Sequence, residues 1–367
     1  MISKEEIQAR AEFIRATWEL QDQPHPPFIV RPRGKWYASR EALENSEVDL
    51  QAQLQMLEKD HEIDDYAIPA LYPGVGIAVI GAAFGGEPVL SDTVEERDPW
   101  TPHLISDKNP EDVYKLELPN PRTSGMNPLA FERIKVFQAG SDLPLRVCNI
   151  PSPLTAASQI WDYTDFLSAL YYHPKEVHHL LDLCTEAIIA FTNEQLKEIK
   201  HLFGLTAEDL YLPRDLGIRV SDDVLAEISP RHYREFAIPY NNRLSEAFGG
   251  IFVHSCGDVT HNLDAIKEIK DLRGIEINAP QNKLDLVKEK AAGQMVVSLR
   301  YWLPDWVNRD MPDLETYSKE LIDFLGPKGL MLMIQSLDTA EAHRISKAIK
   351  TPLKRKNNLS KKFKQPD

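Results

Sequence analysis

The chain is poor in cysteine, in long apolar runs and in net positive charge, and each shortage excludes a class of protein. Three cysteines, Cys148, Cys184 and Cys256, cannot build a disulfide framework, so the expected setting is reducing and cytoplasmic. No apolar run approaches the roughly 18–20 residues that cross a bilayer, and the N-terminal MISKEEIQARAEFIRATWEL lacks the apolar centre of an export signal. The formal charge is −14 although seven of the 42 basic residues crowd into Lys350–Asp367. The remainder is more acidic still, which argues against a nucleic-acid partner whose phosphates need a basic face. The basic tail itself reads as a solvated end. Several catalytic templates are missing too. Gly74–Gly81 lacks the spacing of a dinucleotide loop, and there is no G-x-S-x-G elbow, H-E-x-x-H helix or P-loop.

What is present is a regular alternation. At 367 residues, with 43% hydrophobic and 27% charged positions, the chain can bury a sizeable core. From Leu143 onward short β-branched runs alternate with helical segments. The predicted strands are Leu145–Ile150, Gly217–Ser221, Gly250–His254, Gly274–Asn278, Met295–Arg300 and Gly329–Ile334. The predicted helices are Leu154–Leu170, Pro174–Ile199, Pro230–Phe248, Asn262–Ile269, Lys283–Ala292, Leu314–Leu325 and Thr339–Ile349. Such order requires a largely parallel sheet. A further strand near Tyr66–Leu71 and one in the loop-rich stretch between Pro69 and Pro128 bring the count to eight. The expected architecture is therefore an α/β (β/α)8 TIM-type barrel with an N-terminal helical and loop-rich extension, with a doubly wound sheet as the alternative. The division expected is an extension over residues 1–60, a barrel over 61–350 and a basic tail over 351–367. The proline-rich arm QDQPHPPFIVRPRGKW is expected to lie over the surface.

A barrel carries its chemistry where strands end. The strand ends offer Asn149, Asp222 with Asp223, His254 with Cys256, Asn278, Arg300 with Tyr301, and Gln335. In Val253-His254-Ser255-Cys256-Gly257-Asp258 the imidazole and thiol stand two apart, so an extended strand end sends both to one face. Nitrogen and sulfur together suit zinc, with His261 and Asp258 near enough to assist; the competing reading is a buried cysteine beside a hydrogen-bonded histidine. Asp222 and Asp223 point different ways, one towards the mouth as proton carrier or substrate holder and the other to a cap or pair elsewhere.

These residues resemble the uroporphyrinogen decarboxylase-like superfamily, which includes cobalamin-linked methyltransferases. The resemblance runs through Asn149–Gln195, Gly217–Ile266 with its FVHSCGDVTHN, and the paired RGIEIN and MVVSLRYW of Arg273–Trp302. It implies a TIM-type barrel. The decarboxylase branch carries an R-Q-A-G-R-Y motif, whereas this chain has RPRGKWYASR at Arg31–Arg40, and Arg300-Tyr301 replaces the usual glycine-asparagine pair. The methyltransferase branch uses H-x-C as zinc ligands, so the resemblance implies zinc on His254 and Cys256. The family's third ligand, a cysteine after the last strand, falls where this chain reads Ile334-Gln335-Ser336-Leu337. The resemblance thus implies a substitute among His261, Asp258 and Glu276, or a lost metal, with His261 the expected third metal ligand. It further implies methyl transfer between a small-molecule donor or acceptor and a corrinoid on a separate protein, since the chain has no D-x-H-x-x-G signature. Asp222 or Asp223 would then shuttle a proton or position the substrate, with Asn149, Asn278, Arg300, Tyr301 and Gln335 lining the pocket. The alternatives are a metal-independent decarboxylase relying on Asp222, Arg300 and Arg31 or Arg33, and a non-catalytic descendant of the fold.

Overall fold

The computed structural model describes residues 2–32, 40–60, 62–89, 100–302 and 313–351. Six strands form one parallel sheet: β1 (Phe28–Pro32), β2 (Ile218–Ser221), β3 (Ile251–Ser255), β4 (Leu272–Asn278), β5 (Val296–Trp302) and β6 (Leu330–Ser336), in the order β1-β6-β5-β4-β3-β2. The sheet curls so that β1 and β2 face one another across a gap. Isolated parallel contacts step over it. Tyr66 N–H donates to Phe28, Leu71 N–H to Pro144, Leu145 N–H to His201 and Arg219 N–H to Leu205. The result is a distorted, incomplete barrel preceded by helices. The strands expected at Tyr66–Leu71 and Leu145–Ile150 are thereby corrected to bridging segments. Pro69, Pro73, Pro144 and Pro151 deny them the N–H groups that a continuous ladder requires.

The proline-rich arm does not lie over the surface at Phe28–Pro32, where every residue is buried and paired with Leu332–Ser336. A parallel strand covered on both faces reads as an apolar run, and the flanking prolines masked this one. Two predicted helices are each split. Leu154–Leu170 breaks into Pro153–Ile160 and Tyr163–Tyr172, because the Asp162 carboxylate caps a new helix at the N–H groups of Thr164 and Asp165. Pro230–Phe248 breaks at Ala237, before Pro239. The basic tail from residue 352 and Arg33 lie outside the described residues. Among the described residues, no helix is long and apolar enough to cross a membrane.

Strand alternation sorts side chains into two environments. Ile251, Val253, Ile275, Ile277, Val297, Leu299, Leu330 and Leu332 belong to the large core shared with the surrounding helices. The opposite faces of Phe252, Val296 and Met331 join Ile14 and Trp18 of helix Lys4–Trp18 in a second cluster near the starts of the strands. Trp18 meets Phe252 edge-on at 5.0 Å, and its Nε1–H donates to the Tyr211 carbonyl. This apolar plug closes one end of the barrel. Further along the same inner face the residues become charged, and that change of layer positions the site.

Candidate metal centre at the barrel mouth

β2 and β3 run parallel in a register that pairs Ser221 with His254. Two residues beyond each partner stand Asp223 and Cys256, so the ends of neighbouring strands deliver a carboxylate and a thiol side by side. The ligand atoms of Asp223, His254 and Cys256 all lie within 4.8 Å of one another. His254 Nε2 is 3.2 Å from Cys256 Sγ, and Asp223 Oδ1 accepts the Cys256 N–H at 2.9 Å. Behind the imidazole, Nδ1 stands 2.8 Å from Oε1 of Glu276, off the best hydrogen-bond line. A carboxylate behind one ring nitrogen with donor atoms before the other is the usual arrangement of a metal-binding histidine.

The electrostatics agree with the geometry. Burial, helped by the Arg219 charge, holds His254 below its usual pKa, so the ring is neutral and its lone pair free for a cation. Burial raises the Glu276 carboxyl, but Arg219, His254 and Arg300 outweigh it and keep Glu276 well below its usual range. Burial and the neighbouring Asp223 push the Cys256 thiol up to about 12, so the sulfur keeps its proton until a positive charge sits beside it. A nitrogen, a sulfur and an oxygen donor this close together can in principle coordinate a metal ion.

The loop after Cys256 is held from β4. Asn278 is buried and donates to the Cys256 carbonyl at 2.8 Å, while Asn282 donates to the Gly257 carbonyl and accepts from Val259 N–H. Gly257 is needed for space, since a Cβ there would lie 2.3 Å from the Ala226 Cβ. Gly257→Ala should therefore shift the loop and weaken metal retention, and adding Ala226→Gly should restore it. Metal content of the single and double variants checks this; a double variant no better than the single one rejects the contact as the cause.

The other predicted residues divide. Asp222 is fully buried and turned away from the mouth, where it accepts from Ser152 Oγ at 2.9 Å, Tyr233 OH at 3.1 Å and Asn241 Nδ2 at 3.2 Å. Burial pushes its carboxyl up to about 6 despite these donors. Its contacts tie three helix segments together, and of the two carboxylates Asp223 is the one in the donor cluster. Tyr301 lies elsewhere than expected. It is buried among the helices, with its hydroxyl 2.7 Å from Ser318 Oγ, because neighbours on a strand point opposite ways and Arg300 takes the inner face. His261 turns its Nε2 to the Ile228 carbonyl at 3.0 Å, and Asp258 spends Oδ1 on Thr260. Neither joins the cluster. Gln335 is half-buried beside Arg31 in the β1–β6 register, and Asn149 is half-buried before the Pro151–Ser221 bridge.

Sequence reasoning named Glu276, Arg300 and Arg31 but missed Arg219, Arg146, Glu208 and Asp209, which complete a charged layer beneath the mouth. Arg219 Nη2 lies 2.6 Å from Glu276 Oε1 with both side chains buried, and Arg31 and Arg146 share Asp209 at 3.2 and 2.5 Å. Arg300, a third exposed, meets Glu276 at 3.5 Å and Glu208 at 3.8 Å without a hydrogen bond to either. The available signal was a charge inside a strand otherwise apolar, as in Ile218-Arg219-Val220 and Ile275-Glu276-Ile277. A 310 Å³ cavity opens beside Asp223, between Ile77, Trp100, Thr155, Gln159, Tyr163 and Val224.

The chain is an incomplete parallel α/β barrel with a metal-competent donor set at the carboxyl ends of its strands. The family model described as uroporphyrinogen decarboxylase (URO-D) matches residues 33–204. A solved methyltransferase from Methanosarcina mazei superposes with a TM-score of 0.68 over 92% of this chain and 96% of its own, at 17% identity, a likeness of fold. No curated protein matches the sequence. The family match covers residues 33–204 of the 367, and the structural likeness places the chain in the same fold.

Proposed function

We propose that the protein is a zinc-assisted methyltransferase that moves a methyl group between a small substrate and a corrinoid carried by a separate protein. The observation that carries this reading is the convergence of Asp223, His254 and Cys256 within 4.8 Å, with Glu276 behind the imidazole. A methyltransferase of the same fold supports it. Zinc, when bound there, supplies a Lewis acid for a thiol or ether oxygen. The chain's own residues do the rest. Glu276 orients His254, Asn278 and Asn282 fix the Cys256 loop, and Arg300 offers a guanidinium not spent on close partners to an acidic group of the substrate.

Metal-independent decarboxylation of a polycarboxylate needs free positive charge. Here Arg31 and Arg146 are paired with Asp209, and Arg219 with Glu276, so much of the interior positive charge is spent. A retired site would be filled by its own side chains, whereas a cavity borders Asp223.

Metal content of the purified protein tests the reading. About one zinc per chain is expected, as a single three-ligand site requires, and it should be lost in both His254→Ala and Cys256→Ser. A chain that takes up no zinc on refolding with the metal overturns the proposal.

A further inference from the structure

Asp223 is an exposed carboxylate on the short turn that follows β2, a place where a side chain ordinarily samples several rotamers and turns to water. Its Oδ1 accepts the Cys256 N–H within the donor cluster. Its backbone is held from the other side, by the turn that opens helix Pro153–Ile160.

That turn grips the Asp222–Asp223 pair with two hydroxyls. Ser152 Oγ donates to Asp222 Oδ1 at 2.9 Å and accepts the Thr155 N–H at 3.0 Å, which completes the helix cap. The Thr155 hydroxyl is spent on Asp223 instead, where Oγ1 accepts the Asp223 N–H at 3.0 Å. Asp222 carries the grip across to the next strand, because its own N–H donates to the His254 carbonyl at 2.7 Å. Ser152 and Asp222 are fully buried and Thr155 is nearly so. Neither Asp222 nor Thr155 belongs to the donor cluster, yet between them they fix the peptide from which its carboxylate projects.

We propose that Asp222 and Thr155 are positioning residues, which hold the peptide between Asp222 and Asp223 so that the Asp223 carboxylate is aimed at His254 and Cys256 before any cation arrives. A site loses grip on its ligand when the groups supporting its donors are loose. The inference rests on the zinc reading for what the aim serves, but the bracket itself can be tested in the metal-free chain.

Cobalt(II), whose visible absorption reports its ligands, is the probe, and the full chain is used throughout. Thr155→Val keeps the outline of the side chain and removes the acceptor. It should lower cobalt affinity about 10–100-fold, the cost of losing an outer partner of a metal ligand, and change the visible spectrum as the carboxylate leaves. Thr155→Ser, which keeps the hydroxyl, should restore both. Asp222→Asn should act in the same direction as Thr155→Val, with urea unfolding to separate the effect from loss of the fold. In the metal-free chain, hydrogen exchange at the Cys256 N–H should quicken in Thr155→Val, because that N–H rests on Asp223 Oδ1. A Thr155→Val chain that is less stable to urea but keeps the parent's spectrum and Cys256 exchange overturns the proposal, since Thr155 would then support the helix alone. Thr155→Ser behaving like Thr155→Val overturns it too. The two readings fail separately. A parent that takes up no cobalt, with exchange at Cys256 quickened by Thr155→Val, rejects the metal and keeps the bracket. Cobalt held equally by the parent and Thr155→Val rejects the bracket and keeps the metal.

Discussion

Glu276→Gln should lower the stability of the fold by about 3–5 kcal/mol, the usual cost of removing one member of a buried ion pair. The carboxylate is fully buried, with Arg219 Nη2 at 2.6 Å, His254 Nδ1 at 2.8 Å and Arg300 at 3.5 Å around the same oxygen. Glutamine keeps the shape and loses the charge. Arg219, 2% exposed, is then left with Glu208 at 3.7 Å as its counter-charge. Most of the loss is the stranded guanidinium rather than the missing contact. Arg219→Met added to Glu276→Met should therefore be milder than Glu276→Gln, because it strands no buried charge and leaves only the neutral His254 Nδ1 without its neighbour. Urea unfolding of the three proteins checks this. A single variant within about 1 kcal/mol of the parent, the range of a surface substitution, would show that Arg219 finds its compensation elsewhere. The same variant should hold zinc about 10–100-fold more weakly, the cost of losing an outer partner of a metal-binding histidine.

How much of this was readable from the chain depends on the range of the interaction involved. Helix Leu314–Leu325 agrees with its predicted limits because its signals are local, with Asp313 capping the Thr316 N–H and a periodic apolar face. Strands β2 to β6 were found within about two residues, since a strand buried on both faces announces itself as a Val/Ile/Leu run. β1 has that run in Phe28-Ile29-Val30, but its partner is β6, some 300 residues later, and nothing local distinguishes it from an arm. The hydrogen-bond gap between β1 and β2 was likewise invisible, because proline content fixes where a ladder fails but not which edges then meet.

The same division runs through the site. His254 and Cys256 were legible because two-residue spacing on a strand is a local rule. That rule also forbids Arg300 and Tyr301 from sharing the mouth, and the fold agrees, with Tyr301 packed edge-on against Tyr317. Asp223 was legible as an acid at a strand end but not as a neighbour of Cys256. That neighbourhood is set by the register of β2 on β3, which the sequence does not state. The resemblance pointed to a ligand after the last strand, whereas the candidate third donor, Asp223, stands four strands away in the sheet order.

Asp223→Asn should therefore cost more metal affinity than Glu276→Gln, exceeding the about 10–100-fold of an outer partner. The carboxylate has two jobs that this substitution separates. Oδ1 accepts the Cys256 N–H at 2.9 Å and steadies the loop, and an asparagine oxygen can do the same. On the proposed reading the other oxygen would be the charged donor to the cation, and an amide nitrogen in its place has no lone pair to give. Loop geometry should survive while the donor set falls from three to two, so zinc competition against a chelator should show a large loss with little change in unfolding by urea. Asp223→Ala removes both jobs and should add instability to the same loss. Asp223→Cys, which returns a sulfur to a three-donor site, should hold more zinc than Asp223→Ala. The outcome that defeats the assignment is zinc retained at full affinity by Asp223→Asn. His254 and Cys256 would then need their third donor from elsewhere, and the juxtaposition of β2 and β3 would serve the loop alone.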